Sequence, residues 1–251
     1  MADPRDQFGP AAERYLTSGA HANEAALARC VELAQPRGGA VLDVGTGAGH
    51  LAYAFAPHAR KVVALDPTPE MLQVTARTAT ERGLDQIETL LGFAEELNFE
   101  DGAFEGVASR IAAHHFQSVP KFLAEAWRVT ESGGWLLIVD TIGIEDPAAN
   151  EELQLVETLR DPSHVRNYTE TEWRAMTEKA GYKIVHVETH SNPHNAYDWL
   201  DRMSVQEPVR TRTLHSIIYS EGWLRDYLRP TGEGETLTFR LHQIALLAAR
   251  P

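Results

Sequence analysis

The stretch "VLDVGTGAGH", Val41 to His50, decides the fold: an apolar run closes on a carboxylate, Asp43, and passes at once into three alternating glycines, Gly45, Gly47 and Gly49. A strand, a glycine-rich turn and a helix in that order bring backbone N–H groups close to a ligand, because glycine permits both the tight turn and the close approach. The dinucleotide fingerprint G-x-G-x-x-G is not met, since His50 stands where its third glycine belongs, and the Lys and Ser or Thr of a Walker loop are absent. Asp43 argues further against a pyrophosphate, which a carboxylate repels, and in favour of an ammonium or another cation. A second acid, Asp66 in "VVALDPTPEML", lies 21 residues after Gly45, at the spacing of an acid that hydrogen-bonds ribose hydroxyls. Together these residues suit a nucleoside that carries positive charge and no phosphate.

Outward from this loop the chain keeps an α/β rhythm. "AVLDV", "KVVALD", "IETLLG", "FEGVASR" and "GWLLIVDT" alternate with the helical patterns "HLAYAFAPH", "PEMLQVTARTATERG" and "VPKFLAEAWRVT", which predicts a parallel sheet with helices on both faces. Pro69 at a first-turn position and the glycine stop in "ERG" bound one of these helices. Beyond Thr141 the rhythm loosens into a loop, a helix and a loop, then "TETEWRAMTEKAG" with its Thr N-cap and Gly181 stop, and then the strand "YKIVHVETH". Residues 191–235 read as mixed helix and loop, and "TLTFRLHQIALLA" as a last strand. One domain is expected: residues 1–38 as a helical cover that includes Phe8 and Tyr15, 39–141 as the ligand-binding core, and 142–251 as the elements around a second substrate.

Bulk properties exclude several classes. The 251 residues are 43% hydrophobic and 24% charged, an ordinary globular composition. No apolar run reaches the roughly 18 residues of a membrane span, and the N-terminal residues lack a signal-peptide core, so a cytoplasmic protein without integral membrane association is expected. Cys30 is the single cysteine; it rules out an internal disulfide and a thiolate cluster and is expected on the apolar face of "ALARCVELA". A net charge of −13 without a basic block disfavours nucleic acid as a partner. A homodimer is left open, and no metal set is expected, because adjacent histidines are poor joint ligands.

S-adenosylmethionine combines ribose, adenine, an ammonium and a sulfonium, and at this point the chain resembles a known family. "VLDVGTGAGH", "ALDPTPEML", "AEELNFEDGAFEGVASR", "AAHHF", "EAWRVTESGGWLLIVD" and "RDPSHVRNYTETEW" resemble, in family order, the class I S-adenosylmethionine-dependent methyltransferases, and within them the quinone-biosynthesis C-methyltransferases. The resemblance implies a Rossmann-like, doubly wound seven-stranded sheet whose last strand is antiparallel. It implies that Gly45, Thr46 and Gly47 lie under the methionine moiety, Asp43 near its ammonium, Asp66 with Pro67 at the ribose, and Met71 or Leu72 on the adenine. "GFAEEL" would add Phe93, Ala94 and Glu95 at the adenine, with Phe93 replacing the family's usual acid. Arg110 is a candidate for the cofactor carboxylate, and Tyr15, with Ser18 and His21, for a cover. His114 and His115 are candidates for a base or for the cavity wall, while Phe116, Asp140 and His164 are candidates for acceptor contacts. Trp173, Trp199, Tyr219, Trp223 and Tyr227 are expected in the core. The expected reaction carries a methyl group to a carbon or oxygen of an aromatic or quinone-like molecule and yields S-adenosylhomocysteine. The alternatives are a binding protein that transfers nothing and a nucleotide-dependent oxidoreductase.

Overall fold

The computed structural model describes residues 5, 8, 9, 12–16 and 22–251. Its centre is one seven-stranded sheet in the order β3-β2-β1-β4-β5-β7-β6, built from β1 (Gly38–Val44), β2 (Ala59–Asp66), β3 (Ile87–Leu91), β4 (Phe104–Arg110), β5 (Thr130–Thr141), β6 (Lys183–Asn195) and β7 (Thr238–Ala249). The first five strands run parallel, and β7 runs antiparallel to both β5 and β6. Strands covered on both faces are buried without alternation, as β1 is from Ala40 and β4 along its whole length, Glu105, Ser109 and Arg110 included. The strand order reverses between β1 and β4, and the crevice beyond their carboxyl ends is where open sheets of this kind hold ligands.

Helices cover both faces. On one side α2 (Glu24–Ala34) and α3 (His50–Phe55), with Cys30, Leu51 and Phe55, pack on Val41, Val62 and Leu137. On the other, α5 (Val119–Val129) sets Phe122, Leu123 and Ala126 against Leu42, Val107 and Leu136, beside Trp173 of α7 (Glu170–Lys179). The burial of Cys30 agrees with its place in an apolar helical stripe. The sequence cues for helix ends hold at the atomic level. Thr169 accepts from the N–H of Glu172, whose carboxylate accepts from the N–H of Thr169, closing a capping box. Pro69 opens α4 (Pro69–Glu81). A short α1 (Ala12–Leu16) packs on α4 through Ala12 and Met71.

A second apolar cluster lies beyond β5. Leu153 and Val156 of α6 (Pro147–Arg160) join Trp199 of α8 (Ala196–Asp201), Ile217 of α9 (Val209–Ile218), Leu224 of α10 (Gly222–Leu228) and Phe239 of β7. Here the structure corrects the reading of residues 191–235. Ser191 to Asn195 extend β6 and pair with β7 as far as Asn195 and Thr238. Pro193 and the asparagines hide this in the sequence, but β6 is an edge strand, where proline is tolerated. Trp173, Trp199 and Tyr227 are interior as expected. Tyr219 and Trp223, 66% and 65% exposed, are not; they flank the α9–α10 connection, whose inward positions are taken by Ile217 and Leu224. No helix among the described residues is long and apolar enough to cross a membrane.

Candidate functional site

A cavity of about 470 Å3 opens at the carboxyl ends of the parallel strands, within the size range of small-molecule sites. Its first part is the glycine loop. The N–H groups of Gly45 and Thr46 donate to the carbonyl of Leu65 at 2.8 and 3.0 Å, tying the turn to β2. Gly45 has φ +72°, and a Cβ there would stand 2.5 Å from that of Ala112, so both backbone and space require glycine. Gly47 also has a positive φ, but no atom lies within 4 Å of its Cβ position. The loop thus leaves a hollow beside its backbone that a side chain would intrude upon.

Two carboxylates face this hollow. Asp43 is buried and accepts the hydroxyl proton of Thr46 at 2.7 Å. Burial, followed by repulsion from Asp66, pushes its carboxyl up to about 7, a position that an arriving cation would relieve. Asp66 accepts N–H bonds from Gly47 and Thr68, each at 2.9 Å, and burial still raises its carboxyl above the ordinary range. Each carboxylate oxygen retains a lone pair for ligand hydroxyls. Pro67, Met71, Phe93, Ala94, Glu95 and Arg110 stand on the same cavity wall. Burial draws the Arg110 guanidinium below its usual value. Glu95 also accepts the N–H of Ser118, which fixes it against the start of α5. Phe93 is half exposed, with the Arg5 guanidinium 5.6 Å from its ring. Phe8 and Tyr15 close the cavity from the N-terminal segment. Phe8 meets Tyr15 and His115 edge to face, and the carbonyl of Tyr15 pairs with His50 at 3.1 Å. Ser18 and His21 lie outside the described residues.

The second part of the cavity is built around "AAHHF". Ile111, just after β4, has φ +53°, a conformation that a β-branched residue rarely adopts and that marks functional turns. The turn it begins sets His114, His115 and Phe116 on the wall. His114 Nδ1 lies 2.6 Å from Asp140, which also accepts the backbone N–H of His114 at 3.1 Å. Burial works against the His114 imidazolium, but the charge and hydrogen bond of Asp140 outweigh it and raise His114 above its usual value. His115 responds oppositely: burial and then the neighbouring His114 push it down to about 4. His164 goes down to about 3 for the same two reasons, adding His115.

The structure does not bring Asp140 and His164 to the cavity surface. Asp140 is covered by His114 and Thr141. His164 is buried behind His114, 5.7 Å ring to ring, with Nε2 held by Gln154 at 2.8 Å. Both therefore reach the cavity through His114 and not directly. Conversely, the wall includes residues not singled out from sequence: Glu157 and Arg160 of α6 with Asp161 at its end, His194 of β6, Arg202 at the end of α8, and Leu241 and Gln243 of β7; Trp199, expected in the core, is buried but also borders the cavity. A signal existed for three of them. Glu157, Arg160 and Asp161 follow i, i+3, i+4 spacing and continue the buried stripe of Leu153 and Val156, so this helix turns polar groups inward.

Comparison with known proteins agrees with this geometry. A family model described as a methyltransferase domain matches residues 42–138. YcgJ of Bacillus subtilis (strain 168), an uncharacterized methyltransferase, is 38% identical over 162 residues, 64% of each chain. Its crystal structure superposes with a TM-score of 0.86 at 31% identity, covering 90% of this chain and 99% of that one. BH2331 of Bacillus halodurans C-125 superposes with a TM-score of 0.86 at 35% identity, with the same coverage. Demethylmenaquinone methyltransferase of Thermus thermophilus is 36% identical over 102 residues, 40% of this chain and 46% of the relative. In sequence the chain thus spans just under two-thirds of YcgJ and less than half of the quinone enzyme.

Proposed function

Because the chain belongs to the class I S-adenosylmethionine-dependent methyltransferases, we propose that it methylates a carbon or oxygen of a small aromatic or quinone-like molecule. The observation that carries this reading is a single cavity whose wall runs from Asp43 and Asp66 to His114. The residues suit the cofactor: a buried carboxylate for an ammonium, a second for ribose hydroxyls, and an open hollow at Gly47 for the chain between them. When bound, S-adenosylmethionine supplies an electrophilic methyl group on a sulfonium, which already is a good leaving group. The protein's part is therefore alignment and exclusion of water.

In this reading Gly45, Thr46 and Gly47 support the methionine moiety, and Arg110 takes its carboxylate. Met71, Phe93, Ala94 and Glu95 border the adenine, with Pro67 beside the ribose. Tyr15 and Phe8 cover the site. His114 acts as base: its Nδ1–H donates to Asp140, which leaves the Nε2 lone pair free to accept the proton that the attacking hydroxyl loses. Asp140 is then a positioning residue, and His164 and Gln154 support the ring from behind. His115, held neutral, lines the wall beside Phe116. The quinone-type acceptor draws on the likeness to the Thermus thermophilus enzyme.

The test is production of S-adenosylhomocysteine when the protein and S-adenosylmethionine are incubated with a panel of catechols, hydroquinones and naphthohydroquinones. Turnover with one member supports the proposal. Tight cofactor binding with no turnover across the panel overturns it and leaves a binding protein.

A further inference from the structure

The wall next to His114 has a chemistry of its own. Arg160 spends only its Nε–H, on the carbonyl of Trp199 at 3.1 Å, and its guanidinium lies 4.6 Å from the Trp199 ring. Its remaining N–H groups have no partner among the described residues. Arg202, which caps α8, is partly buried on the same cavity and forms no side-chain hydrogen bond or ion pair among them. Each guanidinium presents up to five donors in a fork that matches planar oxyanions. The two cations also act on their surroundings: burial, then repulsion by Arg160, lowers Arg202, and burial, then Arg202 and Arg160, pushes His194 down to about 4.

Charge attraction from Glu157 and Asp161 reaches Arg160, and that from Asp198 reaches Arg202, yet no acid among the described residues forms an ion pair with either guanidinium. Asp161 is committed to Ser163, accepting its N–H at 2.9 Å and its hydroxyl at 2.6 Å, and it faces His115 at 3.8 Å. Glu157 is 6% exposed, and its Oε1 has no hydrogen-bond partner although it borders the cavity. Burial raises its carboxyl above the ordinary range. Two guanidiniums with uncommitted donors thus stand on one cavity wall, beside a buried carboxyl oxygen of Glu157 that lacks a partner.

We infer that the acceptor carries an oxyanionic substituent, which the guanidiniums of Arg160 and Arg202 hold with the Glu157 carboxyl beside them. This rests on the methyl-transfer reading and narrows it. A neutral quinone would leave both guanidiniums uncompensated, whereas a carboxylate or phosphate on the ring would pair with them bidentately. The ring itself would lie toward Leu241 and His114.

The experiment is a calorimetric titration of the full chain saturated with S-adenosylhomocysteine, using benzoate, phenyl phosphate and neutral benzamide. At least one oxyanion should bind ten or more times as tightly as benzamide; whichever of the two binds better identifies carboxylate or phosphate as the group held. Arg202→Gln should abolish that advantage, Arg202→Lys should restore part of it, and Arg160→Gln should reduce it. Retained binding of S-adenosylhomocysteine shows that each variant is folded. Equal affinity for benzamide, no oxyanion binding, or an advantage unchanged in Arg202→Gln and Arg160→Gln overturns the inference. Failure of the wild-type protein to bind S-adenosylhomocysteine is a separate outcome, which removes the methyl-transfer reading and this inference with it.

Discussion

Replacing Asp43 by asparagine should stabilise the free protein and weaken its hold on the cofactor. Asp43 is 1% exposed, and its carboxyl stands at about 7 in place of its ordinary 3.8. Below about pH 4 the folded and unfolded chains both keep this proton, so nothing is lost. As the pH rises the unfolded chain releases it first while the folded chain retains it, and stability falls until about pH 7, where the folded group also ionises. At about 1.36 kcal/mol for each unit between the two values, the ceiling on the loss is about 4 kcal/mol. Relaxation and water entry reduce this, and about 1–3 kcal/mol is expected at pH 8. Asparagine carries no such term. The Thr46 hydroxyl, now 2.7 Å from the carboxylate, can turn to accept from the amide, which preserves the contact. The assay is urea unfolding of wild type and Asp43→Asn between about pH 5 and pH 8, beside calorimetric titration with S-adenosylmethionine. The stability difference should widen with pH and level off above about pH 7, while cofactor affinity falls at least tenfold. A difference that does not change with pH would refute the electrostatic argument; undiminished affinity would refute the ammonium contact.

Other outcomes follow from the same geometry. His114→Ala should lower kcat about 100-fold or more with little change in cofactor affinity, as removal of a general base does. Because Asp140 raises His114 above 6.5, the rate should rise with pH through a value above 6.5, and Asp140→Asn should move that limb downward; rate profiles of the three proteins check both. Gly45→Ala should abolish cofactor binding and destabilise the fold by more than about 1 kcal/mol, because a Cβ would meet Ala112 at 2.5 Å and φ is +72°; thermal unfolding and titration measure the two effects. Thr169→Ala removes a capping box outside the cavity lining and should cost about 1 kcal/mol in urea unfolding with no change in cofactor binding.

The wall around the glycine loop was legible in the sequence and the opposite wall largely hidden, for a physical reason. Asp43, Gly45, Gly47 and Asp66 lie on one loop and on the ends of two paired strands, so short spacings along the chain bring them together. The parallel strands were equally legible, because burial on both faces writes itself as apolar runs. The second wall is assembled from α6, β6, α8 and β7, which meet only after the chain has folded, and nothing in the chain links Glu157 to Arg202. The extension of β6 through Pro193 was masked by residues that suit a turn elsewhere and an edge strand here. Asp140 and His164, candidates for acceptor contacts in the sequence, stand behind His114 in the structure.

In the reading proposed here, Asp43 and Asp66 hold S-adenosylmethionine across the hollow of the glycine loop. The most direct measurement is calorimetric titration of the protein with S-adenosylmethionine and S-adenosylhomocysteine, with NADH as control and Asp66→Ala as variant. Micromolar binding of both sulfur nucleosides, no binding of NADH, and loss of binding in the folded variant are expected. No binding to the folded wild-type protein, or equal binding to wild type and Asp66→Ala, would contradict it.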